Sequence, residues 1–403
     1  MRMKFNKKSQ LLLVSVASLM AAGMVTACST LTVDFVYVTS SLAAGTDNYG
    51  EVDVFEINSE SGYMRQIPTS PFPSGGRNPV AEALSSDNQS LYVVNKDDNT
   101  IVQFFIGNDG KVYPQSTVNT PGIFPVAATV SGSSLFVIDT YQPLPACSNA
   151  SPCSGSVGVF PIVAPTGSAL GSALGTPVAN GSLTYWPLAL TGAGAKDILL
   201  PTGVAALANG ADLFVSAYDT TANTGYIFGF AIGSGGALTP LAGSPWKAGT
   251  HPSALVGDST SAYLYVTDYS GSDVLGYAVS GGGLTPLSGS PYPAGGLPSA
   301  IAVDPGAKYL YVTNSQDSTI TAYSNSGGPL TRIGSYATGL QPVAIGVDPG
   351  MKHFVFTANF LGNSVSGLEI NTDGSLFGSQ NSPYTSNAQP TAAVAIPHNG
   401  NQK

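Results

Sequence analysis

The sequence predicts an all-β protein, a seven-bladed β-propeller with four antiparallel strands per blade and a ring closed by the chain's own C-terminal strand. Three observations carry this reading. First, "YLYVTN" at 309–314 echoes "YLYVTD" at 263–268, 46 residues earlier, and a fixed period in the forties marks stacked or radial repeats. Second, each repeat divides into four short runs rich in aromatic and β-branched residues, separated by Gly, Pro, Asn and Asp, with no helical period beyond the first 30 residues. Third, seven prolines open an Ala-rich run: Pro79, Pro125, Pro201, Pro252, Pro298, Pro342 and Pro390.

Within one repeat the elements follow in order. The run "PSAIAVD" from Pro298 is the innermost strand, where small residues suit the narrow wedge at the axis. An Asp-Pro-Gly turn leads to "YLYVTN", whose aromatics fill the wider gap between blades. The turn "SQDS" leads to "TITAYS", and a Gly-rich turn leads to the outer strand "LTRIGSY". Asn95, Asp139, Asp268 and Asn314 recur at the ends of the second strands and read as turn caps. "PTAAVAIP" from Pro390 has no second strand after it, and "FVYVTS" from Phe35 has no inner strand before it. The two leftovers complete one blade, and closing the ring protects its edges.

The ends read differently. Arg2, Lys4, Lys7 and Lys8 precede the apolar run "LLLVSVASLMAAGMV", and Val25-Thr26-Ala27-Cys28 resembles a bacterial lipobox. Residues 1–27 are then a lipoprotein signal peptide and 28–32 a tether lipidated at Cys28. Residues 33–397 are the propeller and 398–403 a tail. The resemblance implies a membrane partner reached through Cys28 and a place in the cell envelope, with Ser29 favouring the outer membrane. Cys147 and Cys153 form an even pair in an exported chain, which points to a disulfide.

All 23 acids follow Cys28 whereas four of the 14 bases precede it, leaving −13 on the chain from Cys28 onward. That sign and the lack of a basic run exclude nucleic acid as a partner. No His-rich metal set, Ser-nucleophile elbow, sialidase-type Asp box or phosphate-binding Gly loop is present, so neither metal nor cofactor is called for. One ring uses the whole chain after its leader, which is read as monomeric.

Function concentrates where repeats depart from their period. Pro125 and Pro201 are 76 residues apart, so the third blade carries an insert over about 141–200. Its "APTGSALGSALGTPVANGS" stretch is of low complexity and is expected to be mobile. The long second-to-third connections of the first, third and fourth blades share one face with the loops entering the inner strands. They place Tyr49, Tyr141, Tyr218 and Asp219 around one mouth of the channel as ligand-binding candidates. Arg77 in "GGRNP" and His251 in "GTHP" stand at the same mouth. Arg77 suits a carboxylate and His251 a general base, with Asp268 as the accompanying acid.

"YLYVTN", "AVDPGAKYLYVTN" and "GGLTPL" resemble the YVTN-repeat and lactonase-type seven-bladed propellers, the 6-phosphogluconolactonase-like proteins among them, over about 33–397. The resemblance implies lactone ring chemistry by His, Arg and acidic residues lining the channel. Relatives often carry a His shortly after the inner-strand proline. Here the second residue after each proline is Ala81, Ala127, Gly203, Ala254, Ala300, Ala344 or Ala392, none of which moves a proton. Three functions follow. The first is an envelope module binding a glycan, peptide or envelope protein at this mouth. The second is a lactone hydrolase using Arg77, His251 and Asp268. The third is a scaffold subunit of an envelope assembly.

Overall fold

The computed structural model describes residues 33–397 apart from 59, 146, 148–149, 151, 165–171, 351–353 and 388. Cys28, the leader and the tail lie outside the described residues. Seven antiparallel sheets form seven blades. The sixth shows the pattern, running outward through Pro298–Val303, Tyr309–Asn314, Thr319–Asn325 and Leu330–Ala337. The only helical turns among the described residues are two short 3-10 turns, Gly192–Gly194 and Ser234–Gly236.

Closure is as expected from the two leftover strands. Pro390–Ile396 lies inside Val33–Ala44 in an antiparallel ladder, with Thr39 opposite Ala392 and Phe35 opposite Ile396. Tyr49–Asn58 continues the first blade outward. Alanine near the axis and aromatics further out follow from the wedge shape of each blade. Tyr37, Tyr92, Tyr265 and Tyr311 of the second strands are fully buried. All four reach the next blade: Tyr37 donates to Gly110 O (3.1 Å), Tyr265 to Gly328 O (2.7 Å) and Tyr311 to Gly374 O (3.2 Å), and the Tyr92 hydroxyl meets Ser172 Oγ (3.3 Å). A buried phenol without an acceptor would be costly, so these tyrosines act as struts between blades.

Two expectations need correction. The outer strand is continuous only in the second and sixth blades. In the other five it is split, as in the fourth, where Leu238–Pro240 and Trp246–Lys247 both pair with Thr224–Ile232. In four of these five the break holds a cis Ser-Pro bond, at Pro71, Pro245, Pro291 and Pro383. The serine hydroxyl before each proline accepts a third-strand N–H, as Ser244 does from Gly229 (2.9 Å). Proline has no N–H for the ladder and is confined to edge strands or breaks; the second blade keeps Pro114 within its continuous outer strand. The insert of the third blade, in turn, is partly core. Residues 165–171 lie outside the described residues, but Leu174, Trp186 and Leu188 are buried. The Trp186 indole donates to Leu238 O of the fourth blade (2.8 Å).

Candidate functional site at the mouth of the channel

The loops entering the inner strands and those joining second to third strands meet on one face. There five of the seven residues before the inner-strand prolines take an unusual backbone. Asn78, Phe124, Leu297, Gln341 and Gln389 all have φ between 53° and 60°, a left-handed conformation that costs a residue other than glycine about 1–2 kcal/mol. Two features hold it. Proline disfavours the right-handed helical region in the residue before it, and each strand then takes a bulge, as where Pro298 faces Asn314 but Ala300 faces Thr313. In four of them the carbonyl also accepts the N–H of the residue after the one facing the proline: Lys96 to Asn78 (3.0 Å), Ser315 to Leu297 (3.0 Å), Phe360 to Gln341 (2.9 Å) and Ser41 to Gln389 (2.9 Å); His251, without that backbone, accepts likewise from Tyr269 (2.8 Å). The loop glycines are held beneath, with Gly122 N donating to Asp139 (3.0 Å) and Gly295 N to Asn314 (2.9 Å).

The pre-proline side chains form a half-buried ring around the mouth. From the third to the sixth blade they are Phe124, Leu200, His251 and Leu297; from the seventh through the first to the second they are Gln341, Gln389 and Asn78. His251 lies in the apolar half. Its ring stacks on Tyr218 of the fourth blade with centroids 4.0 Å apart, and lies 5.5 Å from Tyr269. Burial holds the imidazole below its ordinary pKa although nearby Asp268 pulls upward, so His251 is neutral at pH 7. Among the described residues no hydrogen bond engages either ring nitrogen. A neutral, stacked imidazole with free nitrogens can accept a proton from water.

The other sequence candidates distribute as follows. Arg77 does not join His251. Arg77 opens the second blade and His251 the fifth, and the Arg77 guanidinium is turned to Asp98, with Nε donating at 2.6 Å. Asp268 does lie under His251, but as a cap: it accepts the N–H of Thr250 (2.7 Å), His251 (2.9 Å) and Gly271 (3.2 Å). Asp219 is buried and caps its own turn through the N–H of Thr221 (2.7 Å) and Ala222 (3.0 Å). Tyr141 is buried with its ring 6.2 Å from that of Phe124. Tyr49 lines a separate cleft of about 190 Å³ with Asp47 and Glu51. Cys147 and Cys153 form the expected disulfide, with a Cα–Cα distance of 5.5 Å. No group of three or more potential metal ligands exists among the described residues.

Sequence reasoning missed the pre-proline ring, Tyr269 and Asp273. Asp273 faces Asp268 across the hairpin of the fifth blade, where the sixth has Asn314 donating to Thr319 (3.0 Å). Burial, then the Asp268 charge, pushes Asp273 up to about 6. Writing the seven "X-Pro" steps one above another would have exposed the ring.

The seven antiparallel sheets define the fold, a seven-bladed β-propeller. Residues 281–399 match the family model for "Lactonase, 7-bladed beta-propeller". Among solved structures, a Bacteroides fragilis protein put forward as a 6-phosphogluconolactonase is similar at 19% identity, covering 91% of this chain and 99% of that one, with a TM-score of 0.72. The periplasmic gluconolactonase PpgL of Pseudomonas aeruginosa is similar at 16% identity, covering 91% and 99%, with a TM-score of 0.69. A Lactobacillus plantarum protein is similar at 16% identity, covering 90% and 99%, with a TM-score of 0.67. No curated protein sequence matches the chain.

Proposed function

We propose that this propeller hydrolyses uncharged lactones at the His251 niche. The observation that carries the reading is the neutral His251 imidazole, stacked on Tyr218 at the channel mouth with neither nitrogen hydrogen-bonded among the described residues. Water attacks the lactone carbonyl and passes its proton to the imidazole. The ring C–O bond then breaks, and the imidazolium returns the proton to the departing alkoxide, giving the hydroxy acid. Tyr218 and Tyr269 carry the hydroxyl donors available to the developing oxyanion. A phosphorylated lactone fits less well, because it wants several converging cations and Arg77 is already neutralised by Asp98. The structural likeness to a periplasmic gluconolactonase agrees with a lactone substrate.

The test is acid release on a pH-stat with glucono-δ-lactone, simple γ- and δ-lactones and 6-phosphogluconolactone. Turnover of the uncharged lactones is expected, with a loss of about 10²-fold or more in His251→Gln and no change in Arg77→Ala. Because the base works neutral, the acid limb of the rate should have its midpoint below pH 6.5. Rates equal to buffer for every lactone, or full activity in His251→Gln, would refute the reading. A second reading is a binding module without turnover at the same niche. It is favoured by Asp268, which is spent on loop caps, and by the lack of an arginine beside His251.

We place the protein at the cell envelope, held by a lipidated Cys28, on the strength of the lipobox-like sequence alone. No helix among the described residues is long and apolar enough to cross a membrane. Acyl chains on one cysteine anchor through roughly 0.8 kcal/mol per buried methylene. Cells fed an alkyne fatty acid should label the wild type and not Cys28→Ala; equal labelling of both would remove the anchor.

A further inference from the structure

We propose that the lactone this mouth accepts carries an apolar substituent, which lies along the arc of Phe124, Leu200, His251 and Leu297 with the lactone carbonyl at His251. This rests on the lactone reading and adds the substrate class. The argument is the division of one structural position. Seven loops present the same pre-proline residue to the mouth, five of them with the same left-handed backbone. Architecture alone asks nothing of the side chain there, as Asn, Gln, Leu and Phe all occupy it. Yet the types are sorted around the ring. Four consecutive blades carry Phe124, Leu200, His251 and Leu297, and the remaining three carry Gln341, Gln389 and Asn78.

Within the arc, Tyr218 and Tyr269 flank His251. None of the seven pre-proline residues is fully buried, although the Gln341 Oε1 atom is covered. A polyhydroxylated sugar would leave the apolar arc without a partner, and a purely apolar molecule would desolvate the amides. An amphipathic molecule satisfies both halves. Its carbonyl end belongs next to His251, at the middle of the apolar arc, with the amides of Gln341 and Asn78 on the opposite side of the mouth.

The test uses a homologous series: γ-butyrolactone and γ-alkyl lactones whose chains lengthen two carbons at a time. Turnover is followed by acid release, and the matching γ-lactams, which do not hydrolyse, are followed by calorimetry. Both kcat/KM for lactones and 1/Kd for lactams should rise about threefold to tenfold per two methylenes until the arc is covered. Leu200→Asn and Leu297→Asn should flatten that slope, and Gln341→Leu, which lengthens the arc, should steepen it. Thermal melts confirm that each variant folds. Turnover and lactam binding that ignore chain length would overturn the proposal and leave the lactonase reading intact. Steep lactam binding without turnover of any lactone would support the apolar arc and overturn the hydrolase. Neither turnover nor binding would overturn both.

Discussion

A chain ending at Gln389 will aggregate on expression or melt at least about 10 °C below the full chain. The lost strand, Pro390–Ile396, is the inner strand of the first blade. Its Ala392, Ala393 and Ile396 are buried, and the strand covers an edge whose Val36, Tyr37 and Val38 are fully buried in the closed ring. Thr391 Oγ1 also donates to Pro79 O (2.8 Å), so the same strand ties the first blade to the second. Burial of Ile396 and the alanines, with the lost ladder, amounts to roughly 5 kcal/mol or more. In a domain this large each kcal/mol moves Tm by about 2 °C. The bared strand would present a long hydrophobic edge, a template for pairing between chains. Calorimetry and light scattering read both effects, and a peptide spanning 387–397 added in trans should recover part of the stability. A truncated chain that melts within about 2 °C of the parent would mean that closure contributes nothing.

That prediction stands on features legible in the sequence, because each blade repeats one local chemistry. Proline and alanine mark the crowded axis, "YVTN"-like runs mark the next strand, and counting prolines counts blades. The break in the outer strands was less visible. It depends on Ser-Pro steps such as Ser244-Pro245, which are easily read as ordinary loop, and the sixth blade, taken as the pattern, lacks one. The site was legible only in part. His251 and Tyr218 were singled out from opposite ends of a 33-residue separation, and the ring brings them into stacking contact. Arg77 was singled out by the same rule, standing next to a proline loop. Its pairing with Asp98 is a contact across 21 residues that no motif announces. Asp268 and Asp219 drew attention as acids, but a carboxylate at a strand end is most useful to the fold as an acceptor for loop N–H groups.

Replacing Glu82 by leucine should stabilise the protein at pH 8 by about 2–4 kcal/mol and flatten its stability against pH. Glu82 is the third residue after the inner-strand proline, a position filled elsewhere by Ala128, Val204, Leu255, Ile301, Ile345 and Ala393. It is 8% exposed, and among the described residues neither carboxyl oxygen has a hydrogen-bond partner. Burial, reinforced by the charge of Asp53, pushes it from 4.5 up to about 8. A carboxyl whose pKa is raised on folding binds more protons in the native state, so its contribution is complete below the unfolded pKa and is lost as pH rises through the folded one. Asp53 and Asp273, each near 6, and Asp139 and Asp348, each near 7, act in the same direction. Opposition is limited. Asp98, Asp109 and Asp373 have lowered values, so their stabilisation is lost only below the usual carboxylate range. His251 adds a rise only below pH 6.5. Stability should therefore fall from pH 5 to pH 8.5, and urea melts across that span should show it. Glu82→Leu removes one large carboxyl shift at a position where neighbouring blades already accept aliphatic side chains, and the four aspartates keep part of the slope. Stability that climbs with pH over this range, or a Glu82→Leu variant no more stable than the parent at pH 8, would show that Glu82 has an ionised partner in solution.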